Sequence, residues 1–267
     1  MEISMFETAQ TLYGNFPKWY AAAQIRHSCR SYRDTALDTA ERAKITGTAE
    51  LLNGALPGVR IAVIFGAETA KRVFAMVGGY GTIKNPPAVA AFIADKNDEA
   101  AYEKAGFLGE AFVLEMTAAG FATCWVSGTY SRASMERLIS LKENEQLVAV
   151  TPVGFAAQKK GMMERFTRFY SRGAQRKPLD TICKDFESLP GWAKKCVECA
   201  RIAPSAVNSQ PWRFRFENGL LLETPQKSSL TQPKLDLGIC MLHVVIAAGV
   251  QGVNGRWEKT AFHYLFK

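Results

Sequence analysis

Two stretches of this chain, GEAFVLEMTAAG (Gly109–Gly120) and GICMLHVVIAAG (Gly238–Gly249), align without a gap at a constant offset of 129 residues (109 against 238). Both keep the skeleton Gly, eight residues, Ala-Ala-Gly, and each is followed a short way on by a tryptophan, Trp125 or Trp257. A helix that is apolar nearly all round has to be buried, so a chain with two such helices must wrap both of them. Self-similarity at a fixed offset suggests two copies of one plan packed together, although Ala-Ala-Gly ends also recur on unrelated buried helices. A weaker echo sets NGALPGVRIAVI (Asn53–Ile64) against NSQPWRFRF (Asn208–Phe216), each placing Asn and Pro before a strand.

The rest of the pattern is mixed. Helical spacing runs from Asp98 to Ala119 and is closed by Gly120, and shorter helices fit Pro17–Ile25, Glu68–Met76, Ser131–Ile139 and Pro190–Arg201. Runs rich in β-branched and aromatic residues predict strands at Val59–Phe65, Ala88–Ala94, Val148–Phe155 and Trp212–Phe216. Strands and helices do not alternate strictly, and no strand leads into GxGxxG. A doubly wound dinucleotide fold is therefore disfavoured.

With 267 residues, 48% of them hydrophobic, the chain can bury a sizeable core. The first twenty residues lack an apolar signal-type run, and the greasiest stretch, Leu237–Val250, reads as too short to span a bilayer. The six cysteines lack the spacing of a secreted disulfide framework, so a cytoplasmic location is expected. The net charge of +8 is concentrated in ERFTRFYSRGAQRK, where Arg165, Arg168, Arg172, Arg176 and Lys177 form either a solvated face or an anion-facing one. No zinc finger, ribonucleoprotein motif or basic zipper points to nucleic acid. Cys196 and Cys199 form a CxxC with no second pair and no paired histidine to complete a metal set, so buried thiols are expected there and a core or interface position for His243.

Two segments carry candidate chemistry. In IRHSCRSYR (Ile25–Arg33), an extended backbone would put Arg26, Ser28 and Arg30 on one face, because side chains alternate with period two. Two guanidiniums and a hydroxyl suit a phosphomonoester. In APSAVNSQPWRF (Ala203–Phe214), Pro204 and Ser205 stiffen a turn and Asn208 offers a donor and an acceptor suited to a planar heterocycle. Gln210 could do the same or pin the loop to its strand.

RHSCR and PSAVNSQPW, with TCWVSG (Thr123–Gly128) between them, resemble the FMN-dependent nitroreductase family from about Phe16 to Trp257. The resemblance implies an α+β, nitroreductase-like fold with central, mostly antiparallel sheets flanked by helices. Members form dimers whose FMN sites take one loop from each subunit. Here residues 1–165 keep RHSCR but only the eroded NGALPG, while residues 166–267 keep PSAVNSQPW without a second RxSxR. The resemblance therefore implies two fused halves forming a pseudo-dimer in one chain, a monomer with internal pseudo-twofold symmetry and one complete site.

On this resemblance Arg26, His27, Ser28 and Arg30 would hold the FMN phosphate and ribityl chain, with Arg176 as a further basic contact. Pro204, Ser205 and Asn208 would line the ring from the other half, and Val126, Ser127 and Gly128 would bring backbone amides to flavin N5 and O4. GGYGTIKN offers no clear match for the family's pyrimidine-edge residues. The implied activity is NAD(P)H-dependent reduction of nitroaromatic, quinone or similar small-molecule acceptors by hydride transfer through flavin N5. A flavin-binding protein serving storage, sensing or delivery is the alternative, and loss of both flavin and catalysis is a third reading.

Overall fold

The computed structural model describes residues 12, 14–74, 83–157, 175–223, 233–259 and 263–267. Arg165, Arg168 and Arg172 of the basic segment, and most of GGYGTIKN, lie outside them. The layout is a mixture of helices and antiparallel sheets, as the sequence pattern predicts.

The first sheet comprises β1 (Val59–Phe65), β2 (Ala88–Asp95), β3 (Ala122–Thr123) and β4 (Glu145–Gly154) in the order β1-β2-β4-β3. β2 is central, and its alternation sorts two cores. Ala88, Ala90, Phe92 and Ala94 face the main core, while Val89, Ala91 and Ile93 face a smaller one with Val73, Val126, Tyr130 and Met135. That double burial explains why AVAAFIA reads as an unbroken apolar run rather than an alternating one. The second sheet comprises β5 (Arg213–Phe216), β6 (Leu220–Glu223), β7 (Trp257–Lys259) and β8 (Tyr264–Phe266) in the order β5-β6-β8-β7.

Two helices of 18 residues, α4 (Ala101–Ala118) and α8 (Pro233–Val250), pack on each other more extensively than any other pair of elements, and α4 also packs on the first sheet. Glycines permit the approach: a Cβ on Gly106 would collide with the Leu235 carbonyl oxygen, and one on Gly238 with the Glu103 carbonyl oxygen. Fourteen consecutive residues of α8, Leu235 to Ala248, are buried. Each large aliphatic side chain so buried contributes about 1.5–3 kcal/mol. The expectation that this run is too short to span a bilayer needs correcting, since the helix begins at Pro233 and is long and apolar enough by length and composition to cross a membrane. In this structure 78% of that span is buried by protein, the pattern of a core helix.

The remaining helices are α1 (Phe16–Ile25), α2 (Thr39–Asn53), α3 (Ala67–Val73), α5 (Arg132–Glu136), α6 (Leu179–Ile182) and α7 (Gly191–Ile202). α2 was not anticipated from the sequence. It opens with a capping box in which Glu41 N–H donates to Asp38 Oδ1 and Asp38 N–H to Glu41 Oε2, both at 2.8 Å. All six cysteines are buried, and burial pushes the Cys196 thiol up to about 12. His243 is wholly buried in α8, as expected.

Candidate functional site

α1 ends at Ile25, and Arg26 turns the chain into extended backbone (φ −57°, ψ 133°). The following segment is stitched to the first sheet: Cys29 N–H donates to the Thr123 carbonyl at 2.8 Å, Lys84 N–H to that of Arg30 at 2.8 Å, and Tyr32 OH to that of Cys29 at 2.8 Å. Cys29 is buried, while Arg26, Ser28 and Arg30, together with His27, line one cavity of about 430 Å³, within the usual size of a small-ligand site.

The opposite wall is the segment after α7. Pro204, Ser205 and Asn208 line it together with Val207, and the α8 residues Leu235, Asp236 and Ile239 form the floor. Thus Arg26, His27, Ser28, Arg30, Ser127, Arg176, Pro204, Ser205 and Asn208, drawn from four separate stretches, meet around one space. Two expected residues do not join them. Val126 is buried in the smaller core and its N–H is committed to the Val150 carbonyl at 2.9 Å, so its amide is not available to a ligand. Gly128 is exposed, lies outside the residues that line the cavity, and a Cβ there would meet no protein atom within 4 Å.

The loop Ser205–Gln210 is strained. Val207, Asn208 and Gln210 have φ of 47°, 57° and 45°. Asn tolerates the left-handed region, whereas a β-branched residue there is an outlier costing roughly 1–2 kcal/mol. Several anchors hold it: Ala206 N–H donates to both Asp236 oxygens at 3.0 and 3.2 Å, Gln210 N–H to Ser205 Oγ at 2.9 Å, and Lys177 N–H to Gln210 Oε1 at 2.8 Å. Gln210, only 2% exposed, therefore pins the loop. Val207→Gly is expected to raise stability by about 1 kcal/mol in urea unfolding; a loss would mean the valine contributes more by packing than its strain costs.

Three arginines share this cavity, and carboxylates answer only part of the charge. Arg26 Nε is buried without a hydrogen-bond partner among the described residues, its nearest carboxylate being Glu110 Oε1 at 3.8 Å. Burial, reinforced by Arg26 and Arg201, pushes Arg176 down to about 10. Such an excess of positive charge is suited to an anion. Sequence reasoning missed the groups behind the wall. Glu110, fully buried on α4, accepts from Trp125 Nε1 at 2.7 Å and lies 3.1 Å from His243 Nε2. Trp125 itself lines the cavity, with its ring 4.5 Å from that of Phe92. The available signal was a carboxylate set among apolar neighbours in each of the two helices, Glu110 in GEAFVL and Asp236 in LDLG.

Comparison with known proteins follows this geometry. No curated protein matches the chain. A crystal structure of a "putative nitroreductase" from Thermotoga maritima superposes with a TM-score of 0.59 at 20% identity, over 93% of this chain and 92% of that one. An FMN-dependent nitroreductase from Clostridium difficile aligns over 52% of this chain and 88% of its own (TM-score 0.44, 19% identity). An iodotyrosine deiodinase bound to FMN and 3-iodo-L-tyrosine aligns over 54% and 92% (TM-score 0.42, 15% identity). The family profile described as "Putative TM nitroreductase" matches residues 18–248, nearly the whole of the chain, and the protein therefore belongs to the nitroreductase family.

Proposed function

We propose that this protein is an FMN-dependent NAD(P)H oxidoreductase with one flavin site per chain. The observation that carries the reading is the arginine-lined cavity, in which Arg26, Arg30 and Arg176 converge from segments some 150 residues apart in sequence. Arg26, Ser28, Arg30 and Arg176, with His27 beside them, would hold the phosphate and ribityl chain. Pro204, Ser205 and Asn208 would form the opposing wall, and Ser127 would approach from TCWVSG. When bound, FMN supplies the chemistry of its ring: hydride accepted at N5 from a nicotinamide and electrons passed to a nitroaromatic, quinone or similar acceptor. The chain's own task is to bind, orient and shield, and no side chain is assigned a proton-transfer role.

The single site follows from a proposed fusion of two halves, residues 1–165 and 166–267, about a pseudo-twofold axis. The common strand order of the two sheets supports it. So does Asn53, the echo of Asn208. Its amide is spent on β1, accepting from Ile61 N–H at 2.6 Å and donating to the Ile61 carbonyl at 3.0 Å, so the loop there is closed onto its strand.

Flavin titration tests the reading. Wild type should bind FMN near one per chain and oxidise NAD(P)H when a nitro compound is added. Arg30→Ala should weaken FMN by roughly 10- to 100-fold, the worth of one charge-assisted hydrogen bond, while leaving riboflavin within a few-fold. Two flavins per chain would overturn the one-site argument, and FMN binding without turnover would make the protein a carrier.

A further inference from the structure

The strained loop has a consequence for the arginine wall. Both ends of the Asn208 amide are used on the segment that carries Arg176: Oδ1 accepts from Arg176 Nη1 at 3.1 Å, and Nδ2 donates to the Gln175 carbonyl at 2.7 Å. The same guanidinium nitrogen donates to the Ala203 carbonyl at 2.9 Å. Arg176 is thus fixed by two acceptors, one at each end of the loop Ala203–Asn208. A left-handed φ of 57° sets the Asn208 backbone, between strained neighbours, and such conformations persist where the surroundings enforce them.

Arg176 needs that support. It is largely buried near Arg26 and Arg201, both like-charged, and burial and repulsion together push its pKa down to about 10. Held only by its stem, it would be driven away from the other cations and towards water. A neutral amide fixes it without cancelling the charge that an anion requires.

We infer that Asn208 is the positioning residue for Arg176, so that its side chain selects flavins by their phosphate and does not read the ring. This inference rests on the FMN reading above and reassigns one residue within it.

The test compares FMN and riboflavin in equilibrium fluorescence titrations of wild type, Asn208→Gly, Arg176→Ala and the double variant. Glycine suits the positive φ, so it removes the side chain without straining the loop. Asn208→Gly should weaken FMN by about tenfold, the worth of one hydrogen bond to a charged group, and riboflavin by less than about twofold. In the Arg176→Ala background it should cost FMN nothing further, because the two residues act as one unit. Equal losses for both flavins would show a ring contact and overturn the inference. Additive losses in the double variant would also overturn it. A second measurement needs no flavin: the Arg176 Nε–H resonance of the ligand-free protein should move in Asn208→Gly, and an unmoved resonance overturns the inference. If wild type binds neither flavin, the FMN reading falls, while the resonance still decides whether Asn208 holds Arg176.

Discussion

Asp236→Asn should abolish a fall in stability that wild type shows as pH rises from about 4 to about 7. Asp236 lies at the cavity floor, 3% exposed, and burial raises its carboxyl from 3.8 to about 7 against the opposing hydrogen bond from Ala206 N–H. The sign follows from proton counting. Between those two values the folded state holds a proton that the unfolded chain has released, so raising the pH favours unfolding. At 1.36 kcal/mol per unit the whole effect approaches about 4 kcal/mol, complete once the pH passes the folded value. Asn keeps an oxygen for Ala206 N–H and cannot ionise. The variant should match wild type near pH 4 and exceed it by up to about 4 kcal/mol at pH 8, read from urea midpoints across that range. Parallel profiles for the two proteins would show that another group carries the dependence.

Gly238→Ala should destabilise the protein by about 3 kcal/mol, at the upper end of overpacking. The added methyl would collide with the Glu103 carbonyl oxygen of the facing helix, and backbone cannot rotate away as a side chain can. α4 and α8 would have to separate, and with α8 would move Leu235, Asp236 and Ile239 of the cavity floor. Flavin affinity and stability should therefore fall together. Gly128→Ala is the control, because its Cβ enters open space and should change stability by less than about 0.5 kcal/mol. A Gly238→Ala protein as stable as the control would contradict the close crossing of the two helices.

Elements with long, strongly periodic sequences were legible without coordinates. β1 spans Val59–Phe65 as predicted, β2 and α4 differ from expectation by a few residues at their ends, and α7 is displaced by one. α2 carried its signal in plain view, with Ile45, Thr48, Ala49 and Leu52 forming the buried stripe after the Asp38 cap. It escaped because threonine and alanine do not read as core beside so many charged neighbours. β6 follows Asn218-Gly219, itself a hairpin signal, but β6, β7 and β8 have only three or four residues each, too few for an alternation to show.

At the site the same division holds. That Arg26, Ser28 and Arg30 reach one space could be read directly from alternation in extended backbone, a local property; that His27 lines the same cavity could not. TCWVSG could not be sorted in that way: Trp125 and Ser127 face the cavity, whereas Val126 points into the smaller core because it bridges to Val150 on β4. Only that strand pairing chooses between the two sides.

The amino-acid sequence by itself determined the family, the two buried helices and the two loops that bear the cavity's chemistry, because each is written in contiguous residues whose spacing follows backbone geometry. The tertiary structure alone decided that Arg26 and Arg176 line one cavity, that Glu110 and His243 meet behind it, and that Asn208 spends its amide on the segment carrying Arg176. Those contacts depend on how closely α4 and α8 approach and on where the chain returns after them. Long-range packing sets both, and no local pattern records it.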